Sequence, residues 1–164
     1  MQPKIKFIFF ILVAIAACQS PKEKALAHIK SLESNDSAFS NQLMSQLKTA
    51  YLDFTKNYPD DEHTPEFMFR AAQRCIVLQQ PSEAVILLGT IGEKYSKSPF
   101  TEDALFLEAY TYENNLNDTL HARAYYVSFL KKYPKGELAE DARLAIDNLG
   151  RSPEDIVAGL VEQD

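Results

Sequence analysis

Apolar side chains recur three and four positions apart along most of the chain, and prolines, glycines and acid-rich turns break the recurrence at regular intervals. Such spacing places the apolar groups on one side of an α-helix. A first helix is predicted over residues 22–34, with Leu26, Ile29 and Leu32 along one side. Residues 35–37 break it, and Asp36 or Ser37 can cap the next helix. That helix carries Phe39, Leu43, Leu47, Tyr51, Phe54 and Tyr58 and stops at Pro59. Thr64-Pro65 reads as an N-cap followed by proline at the first helical position. The third helix then contains Met68, Ala71, Ala72, Cys75 and Leu78. Pro81 and Ser82 separate it from a fourth with Ala84, Leu87, Leu88 and Ile91. Gly89 and Gly92 lie inside this fourth helix, at a cost of about 1 kcal/mol each. Close approach of a neighbouring helix would account for them, and so would a frayed end at Gly92. Two further helices flank the loop 114–118, with Thr101 and Asp118 as expected caps, and the second buries Ala122, Tyr126, Phe129 and Tyr133. A seventh carries Leu138, Ala142, Ala145, Ile146 and Leu149 and ends at Gly150. Ser152-Pro153-Glu154-Asp155 starts a last short helix with Ile156, Val157, Leu160 and Val161 on one face. The fold class is therefore all-α.

The pattern also repeats at long range. Phe54-x3-Tyr58-Pro59, Ile91-x3-Tyr95-Ser96 and Phe129-x3-Tyr133-Pro134 share one frame, and the three tyrosines stand 37 and 38 residues apart. Glu66-Phe67, Asp103-Ala104 and Asp141-Ala142 follow at equal distances, and Ala72 aligns with Ala109. A fixed period of this size predicts stacked repeats. The closing helix would then cover the stacking face of the last one.

Composition narrows the function. The chain has 164 residues, 46% of them hydrophobic, with only 5 glycines and no tryptophan. That suits one helical domain. Its formal charge is −6, or about −8 once residues 1–17 and their two lysines are removed. With no cluster of Lys or Arg, the domain lacks the concentrated positive charge that nucleic acid demands, and it offers no basic patch to anionic lipid.

The N-terminus changes the picture more. Residues 1–6 carry two lysines and no acid, and residues 7–17 are continuously apolar. Eleven residues are too few for a bilayer span, which needs about 20, whereas a short basic segment before a short apolar one is a secretory signal. Its end, Ile15-Ala16-Ala17-Cys18, resembles the lipobox of bacterial lipoproteins. An ordinary signal peptide with an incidental cysteine is the plainer alternative. The resemblance implies cleavage before Cys18 and acylation there, palmitate included. Two or more acyl chains anchor stably, at about 0.8 kcal/mol per buried CH₂. Gln19 rather than Asp after the cysteine implies outer-membrane sorting by the enterobacterial rule. The expected layout is a lipoprotein signal peptide over 1–17, a lipidated tether over 18–24 and a repeat domain over 25–164. With Cys18 acylated, Cys75 has no disulfide partner and reads as a buried core thiol.

In its repeats the chain resembles the tetratricopeptide repeat (TPR) in a degenerate form. The family pattern is Trp-x2-Leu-Gly-x2-Tyr, then Ala-x3-Phe, then Pro. The matching residues are Met68, Ala71, Ala72, Cys75, Ala84, Leu88 and Ser96 in one copy. In the next they are Leu105, Glu108, Ala109, Tyr112, Ala122, Tyr126 and Pro134. Tryptophan is missing and Glu108 fills the leucine slot. The resemblance implies a right-handed superhelix of antiparallel helical hairpins. Together with the lipobox, the chain is similar to the BamD and YbgF group of envelope TPR lipoproteins and periplasmic proteins. This implies a lipid-anchored, periplasm-facing module that binds a protein or peptide partner at the outer membrane, as scaffold or adaptor in outer-membrane protein assembly. A structural subunit coordinating envelope constriction with wall synthesis is the alternative, and a small-molecule receptor a more distant one.

In TPR arrays the first helix of each hairpin lines the concave, ligand-facing side. The register above then implies three equivalent partner-binding rows: Glu66, Phe69 and Gln73; Asp103, Phe106 and Tyr110; Asp141, Leu144 and Asn148. Each reads acid, apolar, polar. Complementing the helix dipoles is the competing reading of the acids, and Phe69 and Phe106 would be core if the register slips by one.

Catalytic chemistry is not expected. His28, His63 and His121 are far apart and in no metal-binding spacing, and the acids of residues 60–62 beside His63 read as a solvated turn. There is no Gly-rich phosphate loop, no G-x-S-x-G and no Cys pair. Neither cofactor nor metal is called for.

Overall fold

A computed structural model describes residues 19–34, 40–152 and 154. Among them the chain forms seven α-helices and no strand: α1 (Pro21–Glu33), α2 (Asn41–Asn57), α3 (Thr64–Val77), α4 (Pro81–Lys94), α5 (Thr101–Asn114), α6 (Thr119–Lys132) and α7 (Ala139–Asn148). Each helix packs on the next along the chain. Cys18, the caps expected at Asp36 and Ser37, Phe39, and the closing helix apart from Ser152 and Glu154 lie outside the described residues.

The 37- and 38-residue frame is the frame of burial. Leu47, Tyr51 and Phe54 of α2, Ala84, Leu88 and Ile91 of α4, and Ala122, Tyr126 and Phe129 of α6 occupy equivalent positions, and all are buried. Each of these even-numbered helices sits in a core shared with its two neighbours. Ile29, Tyr51 and Phe67 meet in the first core, Met68, Leu88 and Ala104 in the second, and Ala109, Tyr126 and Ala142 in the third. Full burial of one such Leu or Phe side chain contributes about 1.5–3 kcal/mol, so each core is a sizeable local source of stability. Ties also run between alternate helices. Arg70 of α3 reaches Glu33 of α1 at 3.3 Å, and Lys48 of α2 reaches Glu83 of α4 at 2.9 Å.

The turn after each even helix is built the same way three times. Tyr58, Tyr95 and Tyr133 cap α2, α4 and α6, each donating its N–H to the carbonyl four residues back. The Tyr58 carbonyl accepts from the Asp61 amide, and the Asp61 carbonyl from that of Thr64. Tyr95, Ser98 and Thr101 repeat this, as do Tyr133, Gly136 and Ala139. Thr64 and Thr101 were expected as N-caps. Instead they are the first helical residues, and their hydroxyls donate back to the carbonyls of Tyr58 and Tyr95. A full turn of capping geometry is unnecessary there, because Asp61 and Ser98 accept from the amides of His63 and Phe100 and bend the chain earlier. The expected cap at Asp118 is present, accepting from the His121 amide at 3.0 Å.

Two other details differ from the sequence reading. The turn at residues 60–63 is not simply solvated: Asp61 accepts from the His63 amide and ring and from Lys22 Nζ at 2.9 Å. Its side chain is largely covered, and the His63 amide, with Lys22 behind it, holds its carboxyl down to about 2. Helix α1 begins at Pro21, one residue before its expected start, and so takes in most of the segment assigned to the tether. Ser20 accepts from the Glu23 amide while Glu23 accepts from the Ser20 amide, a reciprocal cap that starts the helix early.

Gly92 is a site of close approach rather than a frayed end. α4 continues to Lys94, and a Cβ at Gly92 would stand 2.7 Å from Leu105 Cδ2 of α5. A Cβ at Gly89 would stand 3.1 Å from Glu108 Oε1.

Candidate functional site

The three expected partner-binding rows lie on α3, α5 and α7, and the structure sorts their members. In the first, Glu66 is engaged within its own helix by Arg70 at 2.7 Å, and Arg70 in turn reaches Glu33. That acid is already neutralised by an internal cation. Phe69 is half-buried against Phe100, ring centroids 6.0 Å apart, and Gln73 is half-buried. In the second row Phe106 turns into the α5–α6 seam. Its ring meets Tyr126 and Phe129 edge-on at 5.6 and 5.7 Å. Asp103 and Tyr110 face solvent, Tyr110 with 44% of its surface exposed. In the third row Asp141 and Leu144 are exposed, Leu144 at 52%, and Asn148 is half-buried. The exposed members are thus Asp103, Tyr110, Asp141 and Leu144. Ala109 of α5 and Ala142 of α7 both belong to the third core.

A second concentration of chemistry lies elsewhere on α5. Glu108 and Tyr110 are two residues apart, so their side chains leave the helix about 200° apart around its axis. Glu108 points toward α4, over Gly89, and is 97% buried at 3% exposure. It borders a recess of about 300 Å³ formed with Val85, Ile86, Gly89, Thr90 and Glu93 of α4, Tyr112 of α5 and Tyr125 of α6. The rings of Tyr112 and Tyr125 stack at 4.9 Å and 10°, and His121 also stacks on Tyr112 at 5.3 Å. Burial pushes the Glu108 carboxyl up to about 7; a hydrogen bond from Tyr125 opposes this and the charge of Glu93 adds to it. Burial likewise raises Tyr125, to about 12, with Glu108 contributing.

The repeat frame shows how unusual this pair is. The positions equivalent to Glu108 are Ala71 and Ile146, and those equivalent to Gly89 are Leu52 and Val127. All four of those residues are apolar, and only the middle repeat sets an acid beneath a glycine. Sequence reading singled out Glu108 only as a departure from the leucine slot. The glycine in the preceding helix at the facing position was the other half of the signal.

A larger groove of about 720 Å³ runs between α1 and α2, but among the described residues lining it Asp53 is the sole carboxylate and His28 the sole basic group. Volume there is not matched by converging chemistry. Cys75 is buried and unpaired, and burial pushes its thiol up to about 11, so it is not poised as a nucleophile. Among the described residues no three His, Cys, Asp or Glu side chains group as metal ligands, and no helix is long and apolar enough to cross a membrane. Comparison of the chain with protein-family models, with curated proteins and with solved structures gives no match.

Proposed function

We propose that the chain is a lipid-anchored interaction module of TPR-like architecture, a right-handed superhelix of helical hairpins. It faces the periplasm from the outer membrane and holds a protein segment as a scaffold or adaptor in outer-membrane protein assembly. It performs no catalysis on this reading. The observation that carries the reading is the pair of side chains Tyr110 and Leu144, exposed on successive odd-numbered helices that also carry the exposed acids Asp103 and Asp141. Tyrosine in such a setting is a common anchor for a partner, and flanking acids favour a partner carrying Lys or Arg. The start of α1 at Pro21 supports a short leash. With Cys18 acylated, only Gln19 and Ser20 separate the lipid from a helix, which holds the domain within about 10 Å of the bilayer surface.

Photo-crosslinking tests the binding face. A benzophenone amino acid at position 110 or 144, in membranes of the producing cell, should trap the same partner band. The same probe at Leu120, exposed on α6, should not. Equal trapping at all three positions, or none, overturns the reading of this face. The anchor is tested separately: Cys18→Ala should abolish palmitate labelling and leave uncleaved or mislocalised precursor, and equal labelling of wild type and variant overturns it.

A further inference from the structure

We propose that the recess between α4, α5 and α6 is a receptor pocket for the guanidinium group of a partner arginine, held between the Glu108 and Glu93 carboxylates and the stacked rings of Tyr112 and Tyr125. The claim that the arginine belongs to a protein partner rests on the interaction-module reading; the chemistry of the pocket does not.

The first argument is the exchange of residues within the repeat. At the equivalent positions the chain carries Ala71 and Ile146 where Glu108 stands, and Leu52 and Val127 where Gly89 stands. A buried acid in place of an apolar side chain is costly unless something neutralises it. Glu108 is 3% exposed. The Tyr125 hydroxyl is its hydrogen-bonding neighbour, one donor for two oxygens that can accept about four. No Lys, Arg or His is among the residues lining the recess. At the positions equivalent to Glu93 the other repeats carry Lys56 and Lys131, so the middle repeat has replaced its cation with a second acid. Charge of one sign has been collected in one place and left for an outside group to balance.

The second argument is shape. About 300 Å³ is the lower limit of ligand pockets, suited to a side chain rather than a cofactor. Gly89 contributes to this room, since a Cβ would stand 3.1 Å from the Glu108 carboxylate. A planar guanidinium can stack on a tyrosine face while its fork of donors meets a carboxylate; an ammonium has no plane to stack. Ile86, 69% exposed at the edge of the recess, gives the methylene stem an apolar rest.

Cation binding requires Glu108 as the carboxylate. The groups that face it are Glu93 from α4, Tyr112 within α5 and Tyr125 from α6, with His121 stacked on Tyr112. Because its carboxyl sits near 7 in the free protein, affinity should rise as pH passes upward through 7.

The test uses the soluble domain, signal residues removed, with butylguanidinium as probe and butylurea as its neutral counterpart. Amide chemical shifts are followed by NMR. At pH 8 butylguanidinium should give saturable shifts at Gly89, Thr90 and Tyr125, weakening about thirtyfold at pH 5.5, and butylurea should give none. Glu108→Gln, which keeps the side-chain shape, should weaken binding at pH 8 by at least tenfold and remove its pH dependence. Gly89→Ala should weaken it while the remaining amide spectrum stays folded. Unchanged affinity in Glu108→Gln, equal shifts with butylurea, or no saturable shift at pH 8 overturns the pocket. Crosslinking at positions 110 and 144 is independent: its failure with guanidinium binding intact removes the outer-face reading alone, and the converse removes the pocket alone.

Discussion

Phe106 and Tyr110 are four residues apart and share a side of α5, yet they have different jobs. Phe106 leans into Tyr126 and Phe129, whereas Tyr110 stays in solvent. Phe106→Ala should therefore lower stability by about 2–3 kcal/mol, somewhat less than a fully buried phenylalanine. Tyr110→Ala should change it by less than about 0.5 kcal/mol. Urea unfolding of the two single variants separates these effects; equal losses would place both side chains in the core. Glu108 has its own signature. Burial raises its folded-state value to about 7, so between about 4.5 and 7 the folded chain holds a proton that the unfolded chain has lost. Stability then falls as pH rises through that window, by an amount on the order of 3 kcal/mol. Glu108→Gln should flatten the curve between pH 5 and 8. A wild-type curve that is already flat there would contradict the burial of an unpaired acid.

At the scale of the element, Ser20, Ser40 and Asp118 cap α1, α2 and α6 through their side chains, whereas α3, α5 and α7 start without such help. His63, Phe100 and Leu138 precede α3, α5 and α7 and make no side-chain capping bond. What fixes those starts is the recurring turn, in which Tyr95 accepts from both the Ser98 amide and the Thr101 hydroxyl. Thr101 is fully buried, so Thr101→Val keeps the shape and deletes only the hydroxyl. It should cost about 1 kcal/mol, because the Tyr95 carbonyl retains its other donor. A calorimetric loss above about 3 kcal/mol would show that the hydroxyl carries the turn alone. The α4–α5 contact illustrates a different rule. Gly92 sits where Leu105 comes closest and Gly89 where Glu108 does. Glycines that weaken α4 as a helix let it approach its neighbour.

At the scale of the molecule, three cores follow one another, and the buried members of each come from three consecutive helices. Stability in such an arrangement is close to a sum over neighbouring units. A cavity at one end should loosen that end first. Phe129→Ala, in the third core, should accelerate amide exchange in α5, α6 and α7 well before it affects α1, α2 and the first half of α3. Uniform acceleration across all seven helices would mean that the chain unfolds as one unit. The ion pairs Lys22–Asp61 and Lys48–Glu83 join separate elements. Both are partly exposed and modest in strength, so they align the units more than they fuse them.

The amino-acid sequence by itself determined the helices and their core stripes. A 3.6-residue period is a property of one segment, and the 37- and 38-residue spacing repeats it without reference to any contact. Leu47, Tyr51 and Phe54 could be named as core from spacing alone, as could Tyr126 and Phe129. Which half-buried aromatic turned inward was decided only by packing, because Phe106 and Tyr110 have the same periodic status and differ only in what α6 places beside them. The hydroxyls of Thr64 and Thr101 were ambiguous for the same reason: a threonine before or at a helix start can cap forward or bond backward, and the carbonyl six residues earlier chooses. Most of all, Glu108 has meaning only with Gly89 opposite it. A buried acid and a missing side chain in the facing helix are separate oddities along the chain, and they become one recess only when α4, α5 and α6 are packed together.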